Sequence, residues 1–535
     1  MSDRPTVLGI EGTAWAASAA LYDTETDEVS ISSDAYQPDS GGLHPREAAE
    51  HMREAIPEVV EGVLDGADSI DAVAFSRGPG LGPCLRIAGT AARALALSLD
   101  VPLVGVNHML AHAEIGRHRS GFDSPVCLNA SGANAHVLAF RNGRYRVLGE
   151  TMDTGIGNAL DKFTRHVDWS HPGGPKVERA ARDGEYAELP YVVTGMDFSF
   201  SGIMSAAKEA VDGGTRIEDV CFSLQETTFA MLTEVAERAL SLTSSTELVL
   251  GGGVGQNQRL QAMLGGMCEA RGVDFFAPEA RFLRDNAGMI AVLGAKMLAA
   301  GDTIAVADSR VDSGFRPDQV PVTWREETGT QWGGRPTEDT LQGAEALVES
   351  DGERVRKRRL PKSYRHPSLD ERLRHERVVL EARLTSDARR QGVPTPLVLD
   401  VDTAETELTV EYVGESDLRA VLDSKEGTSC VRDVANHLAT LHGAGIAHGD
   451  PTTRNVRVSD SGDDDRTYLI DFGLGHYTDD IEDHAMDCHV FEQSLAGTAA
   501  DPELLREEFE TAYAEVGDDD VRERLRTIEG RGRYQ

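Results

Sequence analysis

Three stretches set the pattern of the first 323 residues. TVLGIEGTAWAASAALYD, near the start, reads as strand, turn of small residues, strand. PVCLNASGANAHVLAF (125–140) repeats it, and ELVLGGGVGQNQRL (247–260) runs a strand through three glycines into a helix. The apolar runs are short and bounded by Gly, Ser, Thr and Asn, which is how strands read. Tight turns of this kind aim backbone N–H groups at phosphate oxygens. Singly, each is an ordinary turn. In this order, the two hairpins and the strand–glycine–helix predict two related lobes with a nucleotide between them. TWREETGTQWGGRPTEDT then interrupts the pattern: it is polar, carries Gly and Pro, and has little apolar periodicity. It predicts a linker at 324–340 between a unit at 1–323 and another at 341–535. The second unit opens with short strands, followed by a highly charged helix over about 367–390.

Composition adds three constraints. No run approaches the ~20 apolar residues of a membrane helix, and the N-terminal MSDRPTVLGIEGT has no basic region ahead of an apolar one, so a cytoplasmic protein with no membrane partner is expected. The six cysteines form no CxxC pair and read as buried reduced thiols. Net charge is −37, and only seven of the 53 basic residues are lysine. Such a surface stays hydrated where salt screens charge over a few ångströms, which predicts a halophilic, archaeal source. Acidity ordinarily argues against a nucleic-acid partner; where the whole surface is acidic, local basic clusters decide.

Asn107-His108-Met109-Leu110-Ala111-His112 places two imidazoles four residues apart, on one face of a helix, where they can share a metal ion. A zinc protease of the HExxH kind carries its general-base glutamate directly after the first histidine; Met109 stands there. Alone, this spacing more often marks two solvated helix histidines.

NHMLAH, SGANAH (131–136), DTGIGNALDKFTR (153–165), HPGGPKVE (171–178), FSFSGIMSA (198–206), GGGVGQNQRL (251–260) and RDNAGMIA (284–291) occur in this order. Together they resemble the universal tRNA adenosine threonylcarbamoyltransferases, the TsaD-like catalytic subunits of archaeal KEOPS. The resemblance implies an actin/Hsp70-like two-lobed α/β fold. It implies transfer of the threonylcarbamoyl group from threonylcarbamoyl-AMP to N6 of adenine 37 in tRNAs reading codons that begin with A. It further implies that His108, His112 and Asp285 hold one Fe2+ or Zn2+ ion. Asp285 read alone is a helix N-cap. The family's usual tyrosine ligand is replaced by Asn129, a weak neutral oxygen donor. Asn129, Ala130, Ser131, Gly132, Ala133, Asp161, Gly174, Glu178 and Asn257 match the adenylate contacts; Asp161 and Glu178 read alone are solvated helix positions.

From 341 onward, kinase parts occur at kinase spacing. Lys357 stands where a strand lysine pairs ATP phosphates. Glu381 is its expected helix partner, with Glu376 the alternative. His448-Gly449-Asp450 with Asn455 supplies the base and a magnesium ligand, and Asp471-Phe472-Gly473 the second ligand. GxGxxG and APE motifs are lacking, and Pro451 replaces the usual leucine. The pattern is similar to the small RIO-like KEOPS serine/threonine kinase, an α+β minimal kinase fold. It implies use of ATP and Mg2+, regulation of the adjoining transferase, and further KEOPS partners: a small dimer-forming subunit and a kinase-activating one. Arg354, Arg356, Lys357, Arg358, Arg359, Lys362, Arg365 and the tail 531–535 form basic clusters. A charge run is usually a solvated face; against the overall charge, part of this one reads as tRNA contact. The competing readings are a signalling kinase with a non-catalytic actin-like scaffold, a metalloprotease and a sugar kinase.

Overall fold

The computed structural model describes residues 4–36, 44–64, 69–326, 340–459 and 467–531. The first apolar runs pair as an antiparallel meander: β1 (Thr6–Glu11), β2 (Ala16–Asp23) and β3 (Glu28–Ala35). After helix α1 (Pro45–Leu64), β4 (Ala72–Gly78) joins β1 in parallel. After α2 (Gly82–Leu99), β5 (Leu103–Asn107) joins β4 in parallel, giving the order β3-β2-β1-β4-β5. α3 (His108–Ser120) follows β5 directly. Asn107 is its N-cap, accepting hydrogen bonds from the N–H groups of Met109 and Leu110.

The second sheet repeats this plan. β6 (Val126–Ala130), β7 (Ala135–Arg141) and β8 (Arg144–Glu150) form the meander. Helices α4 (Ile156–His166) and α5 (Gly174–Ala180), the short hairpin β9 (Val193–Thr194) and β10 (Asp197–Phe198), and helices α6 (Ser201–Asp212) and α7 (Ile217–Thr243) intervene. β11 (Glu247–Gly251) then pairs parallel to β6, and after α8 (Gln258–Arg271), β12 (Asp274–Phe276) pairs parallel to β11. The order β12-β11-β6-β7-β8 matches the first sheet read from its other edge. This is the duplicated actin-like arrangement the two hairpins predict. α9 (Ala280–Leu283) and α10 (Ala287–Ala299) return to the first sheet. There α10 lies so close to β1 that a Cβ on Gly9 would sit 2.5 Å from the Ala287 carbonyl oxygen; only glycine allows that approach.

A third sheet is antiparallel throughout: β13 (Thr340–Gln342), β14 (Ala346–Ser350) and β15 (Arg354–Arg359), then, after the long helix α11 (Pro367–Arg390), β16 (Val398–Asp402) and β17 (Glu407–Glu411), in the order β13-β14-β15-β17-β16. The charged helix begins and ends where the sequence predicts. A helical body, α12 (Lys425–Gly443), α13 (Ile481–Thr498), α14 (Pro502–Val516) and α15 (Asp519–Arg531), closes around its own apolar core. The start of α11 does not belong to that core: Tyr364, Leu369 and Leu373 are buried with α4, α6 and α7 of the second lobe. Of the stretch 324–340, residues 327–339 lie outside the described residues, as does the tail 532–535. On one side Arg325 lies 3.9 Å over the Phe140 ring; on the other Thr340 pairs with Glu349.

The basic run does not form one face. Strand alternation leaves Arg354, Arg356 and Arg358 exposed. Lys357, Arg359, Lys362 and Arg365 are instead taken up in ion pairs with Glu381, Glu345, Glu237 and Glu234. All six cysteines are buried, and none is in a disulfide. Among the described residues, no helix is long and apolar enough to cross a membrane.

Candidate functional site

The junction of β5 and α3 fixes the first cluster. Because Asn107 caps α3, His108 and His112 start the helix one turn apart, both buried. Asp285 comes from the segment before α10, which the Gly9 contact holds against β1. Asn286, not Asp285, caps α10, accepting from the Met289 N–H; the Asp285 carboxylate therefore turns to the histidines. Its Oδ1 lies 3.4 Å from His108 Nε2 and 3.3 Å from His112 Nε2, and the three ligand atoms fall within 4.8 Å of one another. Glu11, fully buried and missed in the sequence reading, occupies the other ring nitrogen of His108 at 3.1 Å. Such a carboxylate orients the ring and leaves Nε2 for a metal. Burial pushes the His108 imidazole down, and the Glu11 and Asp285 carboxylates more than offset it, raising it to about 10. Asp285 is held well below the carboxylate range: burial opposes this, and the two imidazoles overcome it. Two imidazoles and a carboxylate facing one point are a donor set that fits a divalent transition-metal ion. The Asn129 Oδ1 is buried without a hydrogen-bond partner, and its Nδ2 reaches only Met109 Sδ at 3.8 Å. A Cβ built on Gly251 would sit 3.4 Å from that Oδ1 and 3.7 Å from His112 Cβ, so Asn129 borders the cluster with a free acceptor.

Asn129 and Ala130 end β6, and Ser131, Gly132 and Ala133 form the turn to β7, closed by the Ser131 hydroxyl donating to the Asn134 carbonyl at 2.7 Å. The glycine turn after β11 packs on it. Gly252 has φ +84°, and a Cβ there would lie 2.3 Å from the Ala130 carbonyl oxygen; a side chain is excluded twice over. Asn257 is the N-cap of α8, and its amide donates to Gln225 Oε1 at 3.1 Å. Glu178 accepts from the Gln258 N–H at 3.3 Å. Asp161 accepts from the Gly173 N–H at 2.7 Å and lies 3.2 Å from His171, holding the loop that leads to Gly174. A Cβ on Gly174 would meet nothing within 4 Å. The expected adenylate residues thus line one side of the second lobe, with open space before Gly174.

A second cluster lies between the third sheet and the helical body. Lys357 Nζ is 2.9 Å from Glu381 and 2.5 Å from Asp471, so Glu381, not the exposed Glu376, is the helix partner. Asn455 Nδ2 donates to Asp450 Oδ2 at 2.9 Å. Asp487 accepts from the N–H groups of His448 and Gly449 and fixes the loop bearing Asp450. Burial, only partly offset by Arg238, raises the Asp450 carboxyl to about 7.

Arg238 belongs to α7 of the second lobe, and it opens a network that sequence reading missed. Glu234 on α7 takes Arg238 at 2.9 Å, Arg377 at 3.0 Å and Arg365 at 2.5 Å. Arg238 also pairs with Glu345, in the turn between β13 and β14 where a glycine-rich loop would stand, and Glu345 pairs with Arg359 at 2.6 Å and Arg377 at 3.0 Å. Glu237 binds Lys362 at 2.6 Å and accepts from the Tyr364 hydroxyl at 3.0 Å. Long-range pairs of this kind leave no periodic trace in the sequence.

A family model described as TsaD, tRNA N6-adenosine threonylcarbamoyltransferase, matches residues 25–292. A Halobacterium salinarum protein called a probable bifunctional tRNA threonylcarbamoyladenosine biosynthesis protein is 69% identical over 534 residues, covering 99% of this chain and 98% of that one. A Haloarcula marismortui protein of the same description is 67% identical over 550 residues, with 99% and 100% covered. One from Methanospirillum hungatei is 50% identical over 531 residues, with 99% of each covered.

Proposed function

The chain belongs to the tRNA N6-adenosine threonylcarbamoyltransferase family, and from that premise we propose a division of labour between its two units. Residues 1–323 transfer the threonylcarbamoyl group from threonylcarbamoyl-AMP to N6 of adenine 37 in tRNAs reading codons that begin with A. Residues 341–535 are a minimal kinase-like unit that uses ATP and Mg2+ and regulates the transfer, with 324–340 as the link. The observation that carries this reading is the convergence of His108, His112 and Asp285, backed by Glu11, beside the turn Asn129–Ala133.

The N6 amine attacks the carbamoyl carbonyl carbon. A C–N bond forms, the C–O bond to the phosphate breaks, N6 gives up one proton, and AMP leaves. Gly132 and Ala133 offer backbone N–H groups to the adenylate, while the Ser131 N–H closes the turn on the Asn134 carbonyl at 2.9 Å. Asn129 offers its free amide oxygen, Glu178 and Asp161 accept from hydroxyls, and the space before Gly174 admits the ligand backbone. His108, His112 and Asp285 would hold a metal ion, which would supply Lewis-acid chemistry there. N6 is a poor nucleophile, so holding the two reactants in line contributes heavily.

In the second unit, Lys357 with Glu381 holds ATP phosphates, Asn455 and Asp471 hold magnesium, and Asp450 is the base. The expected partners are tRNA, the exposed arginines of β15 contributing to it, and the small dimer-forming and kinase-activating KEOPS subunits, in the cytoplasm. The test is reconstitution at high potassium chloride with threonine, bicarbonate, ATP, an adenylate-forming enzyme and unmodified tRNA. Threonylcarbamoyladenosine in the digested tRNA is expected by mass spectrometry. Its absence with the partner subunits present, while protein substrates are phosphorylated, would favour a signalling kinase on a non-catalytic scaffold.

A further inference from the structure

A cleft of about 900 Å3 lies where the two units meet. One wall comes from the second lobe, including Glu178, Phe222 and Gln258; the other is the segment entering α11, including Ser363, His366 and Arg374. Its volume is large enough to admit a nucleotide-sized ligand. One expected adenylate residue, Glu178, lines it and accepts from the Gln258 N–H; a second, Asn257, adjoins it, its amide donating to Gln225 in the wall. Amide groups of this kind can both donate to and accept from a purine edge.

The seam itself is aromatic. Phe222 from α7 and His366 from the second unit meet edge to face, with centroids 6.1 Å apart and planes at 90°. Tyr186 stacks behind His366 at 4.4 Å and 9°. A flat heterocycle is the ligand that a rigid corner of rings suits. Cations border it from both units. Arg259 is held by Glu226 through two nitrogens at 2.6 and 2.7 Å, and Arg374 by Asp370 at 2.7 Å and Thr406 at 3.3 Å.

We propose that this cleft receives the adenosine end of the adenylate, and that the segment Ser363–Arg374 of the kinase-like unit is the outer wall of the transferase's own nucleotide site. The proposal rests on reading residues 1–323 as the transferase. Affinity for the adenylate then belongs to the docked chain and not to the transferase unit by itself.

The test is calorimetric titration with AMP of the full chain carrying Asp471→Asn, without magnesium, so that the kinase-like cleft does not compete. Ser363 is exposed, so Ser363→Trp fills the cleft without removing a buried contact. His366→Asn removes the ring and keeps an N-cap for α11. Each is expected to weaken AMP binding about tenfold or more, the loss of one base–aromatic stack. Glu178→Ala, on the wall from the second lobe, is expected to weaken it as well. If Glu178→Ala weakens binding and both seam variants leave it unchanged, the proposal fails and the transferase reading stands. If all three are silent, the adenylate assignment itself is wrong. Weakening by the seam variants with Glu178→Ala silent means a separate nucleotide site, which also overturns the proposal. Should Ser363→Trp lower the thermal midpoint, His366→Asn decides.

Discussion

Replacing Glu234 with glutamine removes one negative charge and almost no volume. Glu234 lies on α7 with its side chain 1% exposed, 2.9 Å from Arg238, 3.0 Å from Arg377 and 2.5 Å from Arg365, and it accepts from the Tyr191 hydroxyl at 2.5 Å. Two of those guanidiniums belong to the other unit. The glutamine amide would aim donors at donors and strand buried cations. Removing one partner of a buried pair costs about 3–5 kcal/mol. With a urea slope of about 2–3 kcal/mol per molar, the unfolding midpoint falls on the order of 1–2 M. Circular dichroism against urea in potassium chloride measures it. The loss should be the same at 1 M and 3 M salt, because screening acts on solvent-facing charges. The double variant Glu234→Gln/Arg365→Met should recover part of it by removing a stranded cation. A loss below about 1 kcal/mol, the range of exposed pairs, would refute the argument that these charges hold the units together.

Three other outcomes are expected. His112→Ala and Asp285→Asn should each lower bound iron or zinc in the purified protein, while Asn129→Tyr should retain it; full metal content in both ligand variants would remove the site. Asp450, raised to about 7, acts as a base only when ionised, so ATP turnover should climb with pH through that value, and Arg238→Met, which removes a cation favouring the carboxylate, should move the midpoint upward. A profile already flat from pH 6 would count against the assignment. Burial first, then the Glu150 carboxylate, pushes buried Asp197 up to about 8. With an unfolded value of about 3.9, its folded form is increasingly penalised as pH rises from about 4 to 8. Asp197→Asn should therefore be more stable than the parent at pH 7.5 and equal to it at pH 4, read from urea midpoints at both.

The parts legible in the sequence are those that local patterning writes. Two hairpins with small-residue turns gave the duplicated sheets, and the spacing in HMLAH gave two imidazoles a turn apart on one helix face. The kinase spacing put Lys357, Glu381 and Asp471 in contact. Asp285 is different: nothing local separates a ligand from a cap, and only the family motif chose, until Asn286 took the capping role. Apart from the one-turn pair Glu234–Arg238, the partners that bury Glu11, Glu234, Glu237 and Arg238 lie far off in the chain, which made these residues illegible. A glutamate in an acidic chain looks like surface. The basic run divides: Lys357 turns to the cleft as its place in the kinase spacing predicts, strand alternation sends Arg359 inward beside it, and Arg354, Arg356 and Arg358 stay exposed.

That alternation also sets how β15 finds its place. With basic residues on both faces, burial of apolar groups hardly distinguishes one pairing of the strand from a neighbour shifted by one residue. The acids do. Lys357 must reach Glu381, and Arg359 must reach Glu345 and Glu381. A one-residue slip would turn Arg354, Arg356 and Arg358 toward the cleft and leave buried carboxylates facing the wrong groups. In this sheet the ion pairs serve as the ruler of assembly, and the ATP cleft is complete only when the strand has been read in the right frame.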